Sequence, residues 1–169
     1  MEQTFSRRGF LKGAAAAALA VSAMGLTGCA GEDGPTTAVV LGDYKVDVDV
    51  RKSTRRSDTR NNMTTGIQIP VVYITNQTGS VMELKLTASV FKAAASDGTE
   101  LKFDSALQPL TLVQKVPASV TPSFSTTDEE VFQKLSSGEL SLKLSITLSG
   151  QTAVYTMNFG DLTQTVEKI

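Results

Sequence analysis

Hydrophobic and polar positions alternate along most of the chain beyond residue 40, in short runs separated by turn-forming residues. Tyr44, Val46, Val48 and Val50 alternate with Lys45, Asp47, Asp49 and Arg51, the period of two expected of a half-buried strand. Residues 67–75, IQIPVVYIT, are rich in β-branched side chains, and Pro70 within them marks an edge or a bulge. Asn76 to Gly79 supply turn chemistry. Met82, Leu84, Leu86, Ala88 and Val90 form the next alternating face, and Asp97-Gly98 turns towards a short strand at residues 100–103, so these segments are predicted to pair as a hairpin. Weaker strand signals cover residues 110–116 and 119–124, interrupted by Pro117 and Pro122. The cleanest alternation, Leu140, Leu142, Leu144, Ile146 and Leu148, turns at residues 149–151 into Ala153, Tyr155, Met157 and Phe159, a terminal hairpin.

Two segments break the alternation. Residues 52–62 are polar and basic and read as a long loop. Thr127 followed by Glu130 forms a capping box that opens a short helix through Val131, Phe132 and Leu135, with Gly138 as its stop. About seven short strands with turns between them and one short helix predict an all-β fold, an antiparallel β-sandwich. A cysteine pair and a buried tryptophan, the hallmarks of antibody domains, are missing from the sequence.

The first residues follow a different logic. Ser6, Arg7, Arg8, Phe10, Leu11 and Lys12, in the run SRRGFLK, resemble the twin-arginine export signal at every position. The small, modestly apolar stretch after them is too short for a spanning helix, which needs about 20 apolar residues. Leu26, Thr27, Gly28 and Cys29 then resemble the lipobox of bacterial lipoproteins, in which the cysteine thiol is diacylglyceryl-modified and the chain is cut before it. These resemblances imply a cleaved signal peptide at residues 1–28 and a lipidated flexible tether at 29–37, leaving residues 38–169 for the β-sandwich domain that the strand pattern predicts. The tether, fully extended, reaches at most ~28 Å. They also imply partners and a place: the twin-arginine translocase and the lipoprotein-processing enzymes during export, and the membrane through the N-terminal lipid. The protein is expected on the extracytoplasmic face of a bacterial membrane, and the export route implies folding before translocation.

Charge and composition narrow the chemistry. Without Arg7, Arg8, Lys12 and Glu2 the chain keeps 13 basic and 16 acidic residues, a mildly acidic balance that gives no electrostatic footprint for nucleic acid. There is one cysteine and no histidine. An intrachain disulfide is therefore impossible, and the commonest general base and transition-metal ligand is missing. No cofactor and no metal site are expected.

From Leu41 onward the chain is similar to a family of immunoglobulin-like domains of unknown function common in bacterial lipoproteins. The matching elements are LGDYKVDVDV, IPVVYITNQTG, VMELKLTASVF, SDGTEL and SLKLSITL. The helix after Thr127 departs from that pattern. The resemblance implies a fold and a location, and no reaction.

The candidate chemistry weighs against an enzyme. Ser89 and Lys92 spell S-x-x-K, yet on a strand an odd spacing sends them to opposite faces, and the companion motifs SDN and KTG are absent. Asp43, Asp47 and Asp49 read as a solvated strand face because calcium wants six to eight oxygens and Lys45 and Arg51 oppose them. The Asn76 to Thr78 sequon reads as a turn, and three tyrosines without tryptophan do not make a sugar-binding platform. One feature invites a partner: Arg51, Lys52, Arg55, Arg56 and Arg60 concentrate five cations with only Asp58 opposing, suited to lipid headgroups, anionic wall polymers or an acidic envelope protein. The sequence thus predicts a non-catalytic, membrane-anchored binding or interaction module. The alternative is an accessory or assembly subunit of an exported enzyme or transporter complex. A weaker enzymatic reading rests on Asp47, Asp49 and Asp104, which would have to converge in a cleft.

Overall fold

A computed structural model describes residues 37–169. Twelve strands and one helix follow in order: β1 (Val39–Leu41), β2 (Tyr44–Arg60), β3 (Met63–Asn76), β4 (Met82–Leu84), β5 (Phe91–Ala95), β6 (Glu100–Phe103), β7 (Leu110–Leu112), β8 (Pro117–Val120), β9 (Phe124–Thr126), α1 (Glu129–Ser137), β10 (Leu142–Leu148), β11 (Gln151–Asn158) and β12 (Thr163–Lys168). Ten strands form one antiparallel sheet in the order β1-β2-β3-β9-β6-β5-β10-β11-β12, with β8 also on β3; β4 and β7 make a separate pair. The all-β, antiparallel expectation with one short helix holds at this level. In place of about seven strands there are twelve, and ten of them share one continuous sheet.

That sheet curls until its two ends meet. The Tyr155 hydroxyl of β11 donates to the carbonyl of Val46 in β2 at 2.8 Å, and the Lys168 ammonium of β12 donates to the carbonyl of Val40 in β1 at 2.8 Å. The inward positions of both halves fill the core. Phe91, Phe124, Leu142, Leu144, Ile146, Tyr155 and Met157 are all fully buried, each such side chain contributing about 1.5–3 kcal/mol of transfer free energy. Burial pushes the Tyr155 hydroxyl well above the ordinary tyrosine range, so it stays a neutral donor.

The predicted terminal hairpin is β10–β11, in register from Leu142↔Met157 to Leu148↔Gln151. The turn at Asp97-Gly98 does lead into the strand at residues 100–103, but that strand pairs with β5 and not with the segment foreseen over residues 82–90, which is interrupted and pairs through β4 with β7. Leu84 and Leu86 remain buried on the alternating positions, while the backbone turns at residues 88–90, where the Val90 N–H donates to the Thr87 carbonyl at 2.9 Å. The chain there leaves the β4–β7 pair for the main sheet, and a period of two survives a change of partner.

The largest correction concerns residues 52–62. They are the outer half of β2 and its turn, a two-stranded ribbon with β3 in which Thr54 to Arg60 pair with Ile69 to Met63. The turn residues Asn61 and Asn62 have φ of 50° and 60°, the left-handed pair that a two-residue hairpin turn requires and asparagine tolerates. A register shift lies between Asp49 and Thr54, opposite Pro70, so the proline does mark a bulge. Within it the Ser53 hydroxyl donates to the Asp49 carbonyl and accepts the Val71 N–H, at 2.7 and 3.1 Å. Pro70 also falls where β3 changes partner, between Gln68 on β9 and Val72 on β8, so its missing N–H takes no donor from a ladder.

Helix α1 begins one residue later than the capping box implies. Asp128 is the N-cap and accepts the Val131 N–H at 3.1 Å, whereas Thr126 rather than Thr127 supports it by accepting the Asp128 N–H at 3.1 Å. Gly138, with φ of 85°, closes the helix as predicted. Val131, Phe132 and Leu135 are its buried face. Phe132 packs where Gly66 of β3 leaves room: a Cβ on Gly66 would lie 2.3 Å from the ring.

Gln68 is fully buried on the inward face of β3, and neither atom of its amide has a hydrogen-bond partner among the described residues. An unpaired buried amide costs about 1–3 kcal/mol. Gln68→Met, close in volume and without polar atoms, is accordingly expected to raise the unfolding free energy by about 1 kcal/mol or more, read as a higher denaturant midpoint at unchanged slope. A lower midpoint would show that the amide is satisfied in solution.

Candidate interaction surface

The five predicted cations share a ribbon but not a face. Arg51 and Lys52 lie in the bulge and both reach Asp49, each at 3.6 Å. Lys52 also donates to the Tyr73 hydroxyl at 3.2 Å and sits 5.4 Å from its ring centre; that hydroxyl raises the lysine pKa above its ordinary value, with further help from the tyrosine charge and Asp49. Past the bulge, cross-strand partners reveal which way each side chain points. Arg55 pairs with buried Gln68 and so lies on the inner face. Its guanidinium stands 5.2 Å from the Phe159 ring and donates to the Phe159 carbonyl at 3.2 Å, tying the ribbon to the end of β11. Arg56 and Arg60 point outward. Arg60 meets Asp58 at 3.1 Å, and Arg56 has no acidic partner among the described residues.

The outer half of β2 also has an open edge. A two-residue turn makes Arg60 and Met63 a hydrogen-bonded pair, so Thr54, Arg56, Asp58 and Arg60 turn their backbone groups to β3. Arg55, Ser57 and Thr59 turn theirs the other way, and no backbone partner meets them among the described residues. Nearer the body the same edge is covered. β1 pairs with Tyr44 to Val46, and the Gln164 side chain of β12 takes the next two groups, donating to the Val48 carbonyl and accepting the Val50 N–H at 2.8 Å.

A concavity lies on the outer face of β2, β3 and β8. It measures about 480 Å³, and Lys45, Asp47, Tyr73, Thr75 and Lys115 line it. Asp47 is half-buried there, and burial raises its carboxyl pKa against the hydrogen bonds from the Val48 N–H and the Thr37 hydroxyl. Asp47 and Asp49 therefore occupy a structured outer face, each with named partners, and no group of three potential metal ligands forms among the described residues. Ser89 sits in a turn with its hydroxyl 2.7 Å from that of Thr87, while Lys92 is on β5, so the S-x-x-K residues are not assembled. Asn76 is fully buried and organises its own turn, donating to the Ser80 carbonyl and accepting from Thr78, in keeping with the turn reading of the sequon. Asp104 lies just past β6 and is exposed.

Sequence reasoning missed two contributors to this surface. Ser53 shapes the bulge and Gln164 seals the inner part of the β2 edge; neither belongs to a motif, and only the β-branched spacing of Thr163, Thr165 and Val166 hinted at a strand around Gln164. The export residues Ser6, Arg7, Arg8, Phe10, Leu11 and Lys12, the lipobox Leu26, Thr27 and Gly28, and Cys29 lie outside the described residues. No helix among the described residues is long and apolar enough to cross a membrane.

No family model matches the chain, and no curated protein matches it. Among solved structures, a candidate lipoprotein (ycdA) from Bacillus subtilis aligns with 80% of this chain at 12% identity and a TM-score of 0.45. The chain spans 38% of that protein's own length.

Proposed function

We propose that this protein is a lipid-anchored, extracytoplasmic, non-catalytic interaction module. In this reading the twin-arginine motif directs its export, Cys29 carries the lipid, and the β2–β3 ribbon is the surface that meets a partner. The observation that carries it is the ribbon itself, a cationic projection with an open backbone edge. The immunoglobulin-like reading belongs here as well, with the β1-β2-β3 end of the sheet and the β10-β11-β12 end as two layers joined through β6. The open edge also suits an accessory subunit of an exported complex, which would cover it.

The anchor is tested by Cys29→Ala. The variant is expected to lose radiolabelled palmitate and to leave the membrane fraction, since removal of acyl chains forfeits about 0.8 kcal/mol per buried methylene. A variant that keeps its label, or a parent chain that takes up none, would refute the lipid reading. The surface is tested by in-cell crosslinking with an Arg56→Glu, Arg60→Glu variant in parallel. Those outward arginines are the right pair, because Arg55 is occupied with Phe159. One captured envelope protein, lost in the variant, supports the accessory role; capture unaffected by the charge reversal removes the ribbon from the proposal.

A further inference from the structure

The open edge of β2 is complementary to itself, and we propose that two copies of this chain pair there, edge to edge and antiparallel about Ser57. This goes beyond the anchored-module reading and does not depend on the lipid. A backbone edge with free N–H and C=O groups is a template for another strand. Arginine along an edge ordinarily guards against such pairing, so the charges decide. Only Arg55, Ser57 and Thr59 offer outward backbone groups, which limits the central antiparallel registers to three.

Centred on residue 56, the pairing sets Arg56 against Arg56 of the second copy. Centred on residue 58, it sets Asp58 against Asp58 and Arg56 against Arg60. Centred on Ser57, it sets Arg56 against the second copy's Asp58, and Asp58 against the second copy's Arg56. Unlike charges then meet twice across a non-hydrogen-bonded pair, where side chains stand closest. Ser57 meets Ser57, Arg55 meets Thr59, and Arg60 meets Thr54; no like charges are opposed. The same patch serves both subunits, as a twofold interface requires. Arg56, which has no acidic partner of its own among the described residues, gains one, and the Ser57 and Thr59 backbone groups gain ladders. The contact is small beside that of obligate dimers, so the pairing is concentration-dependent.

Cysteine crosslinking of the full chain in cells, with added oxidant, tests the register. At the centre of an antiparallel pair the two Ser57 Cα atoms come to about 5.5 Å, within disulfide range. Ser57→Cys is expected to give a disulfide-linked homodimer on a non-reducing gel, above the background of the parent chain with its lone Cys29. Thr59→Cys is expected not to, since its own copy lies about 13 Å away along the strand. Adding Arg56→Asp to Ser57→Cys should reduce the dimer at least tenfold, as should Asp58→Arg, while both changes together should restore it. Equal crosslinking at residues 57 and 59, no crosslink at 57, a crosslink to a different protein, or failure of the charge swap to restore pairing would each overturn the proposal.

Discussion

Replacing Gly66 by alanine is expected to destabilise the domain by about 2–3 kcal/mol, although it adds a single methyl group. The methyl would fall 2.3 Å from two ring atoms of Phe132 and 2.6 Å from its Cβ. Contact at that range must be relieved by movement, and the obstacle is the root of a buried side chain, 7% exposed, on a helix. The Phe132 ring cannot swing aside without moving α1, whose Val131 and Leu135 are buried with it. Over-packing of this kind costs about 1–3 kcal/mol, and loss of helix docking places Gly66 at the upper end. For a domain of this size the melting temperature should fall by roughly 5–12 °C. A double-mutant cycle identifies the cause. Phe132→Ala alone leaves a cavity costing about 3–5 kcal/mol, but in its presence the added methyl has room, so the two penalties should be less than additive by at least 1 kcal/mol. Strict additivity would show that the glycine is needed for another reason.

That dependence illustrates which parts of the fold were legible in the sequence. β10–β11, the Asp97-Gly98 turn, the helix and the bulge at Pro70 were readable because each is announced locally, by burial on alternate residues or by a residue with one conformational use. The ribbon was not. From Arg51 to Arg60 eight of ten positions are exposed, so both faces are polar and no contrast of period two exists to detect. β12 escaped for the same reason, with four of six positions exposed. Pairing in these strands is set by backbone geometry and by neighbours distant in sequence. The helix start was missed by one residue because Thr127 and Asp128 are both good caps, and the choice between them depends on Thr126 accepting the Asp128 N–H. Of the candidate surface, the cluster of cations was visible; its division between the bulge, the Phe159 ring and the outer face was not, since that follows from the register shift.

Gln164 fills the seam between β2 and β12, beside the Tyr155–Val46 and Lys168–Val40 hydrogen bonds that also join the ends of the sheet, and its replacement is expected to loosen that seam. Val50 N–H donates to its Oε1 at 2.8 Å, while its Nε2 donates to the Val48 carbonyl and to the Thr37 hydroxyl. The carboxamide thereby occupies the place that the N–H and C=O of one residue in a parallel neighbouring strand would take, accepting from one residue and donating to the residue two before it. Gln164→Ala leaves both backbone groups without partners at a half-buried edge. At about 1–3 kcal/mol for each unsatisfied group, softened by the access of water, a loss of roughly 2–3 kcal/mol follows. The local signature is more telling than the global one: the Val50 amide and those of Thr163 to Lys168 should exchange with solvent much faster, while those of β10 should not. Gln164→Glu adds a sign. Ionised, the new side chain faces the Val48 carbonyl with acceptors alone; protonated, it donates there as the amide does. Its folded pKa is therefore raised above the unfolded value of about 4.3, and the stabilising contact is present below that value and lost as pH rises through the folded pKa. Measured against the parent chain at each pH, the glutamate variant should be close to it near pH 4 and should approach the alanine variant at pH 7. A deficit independent of pH would mean that Gln164 acts by shape and not by its two hydrogen bonds.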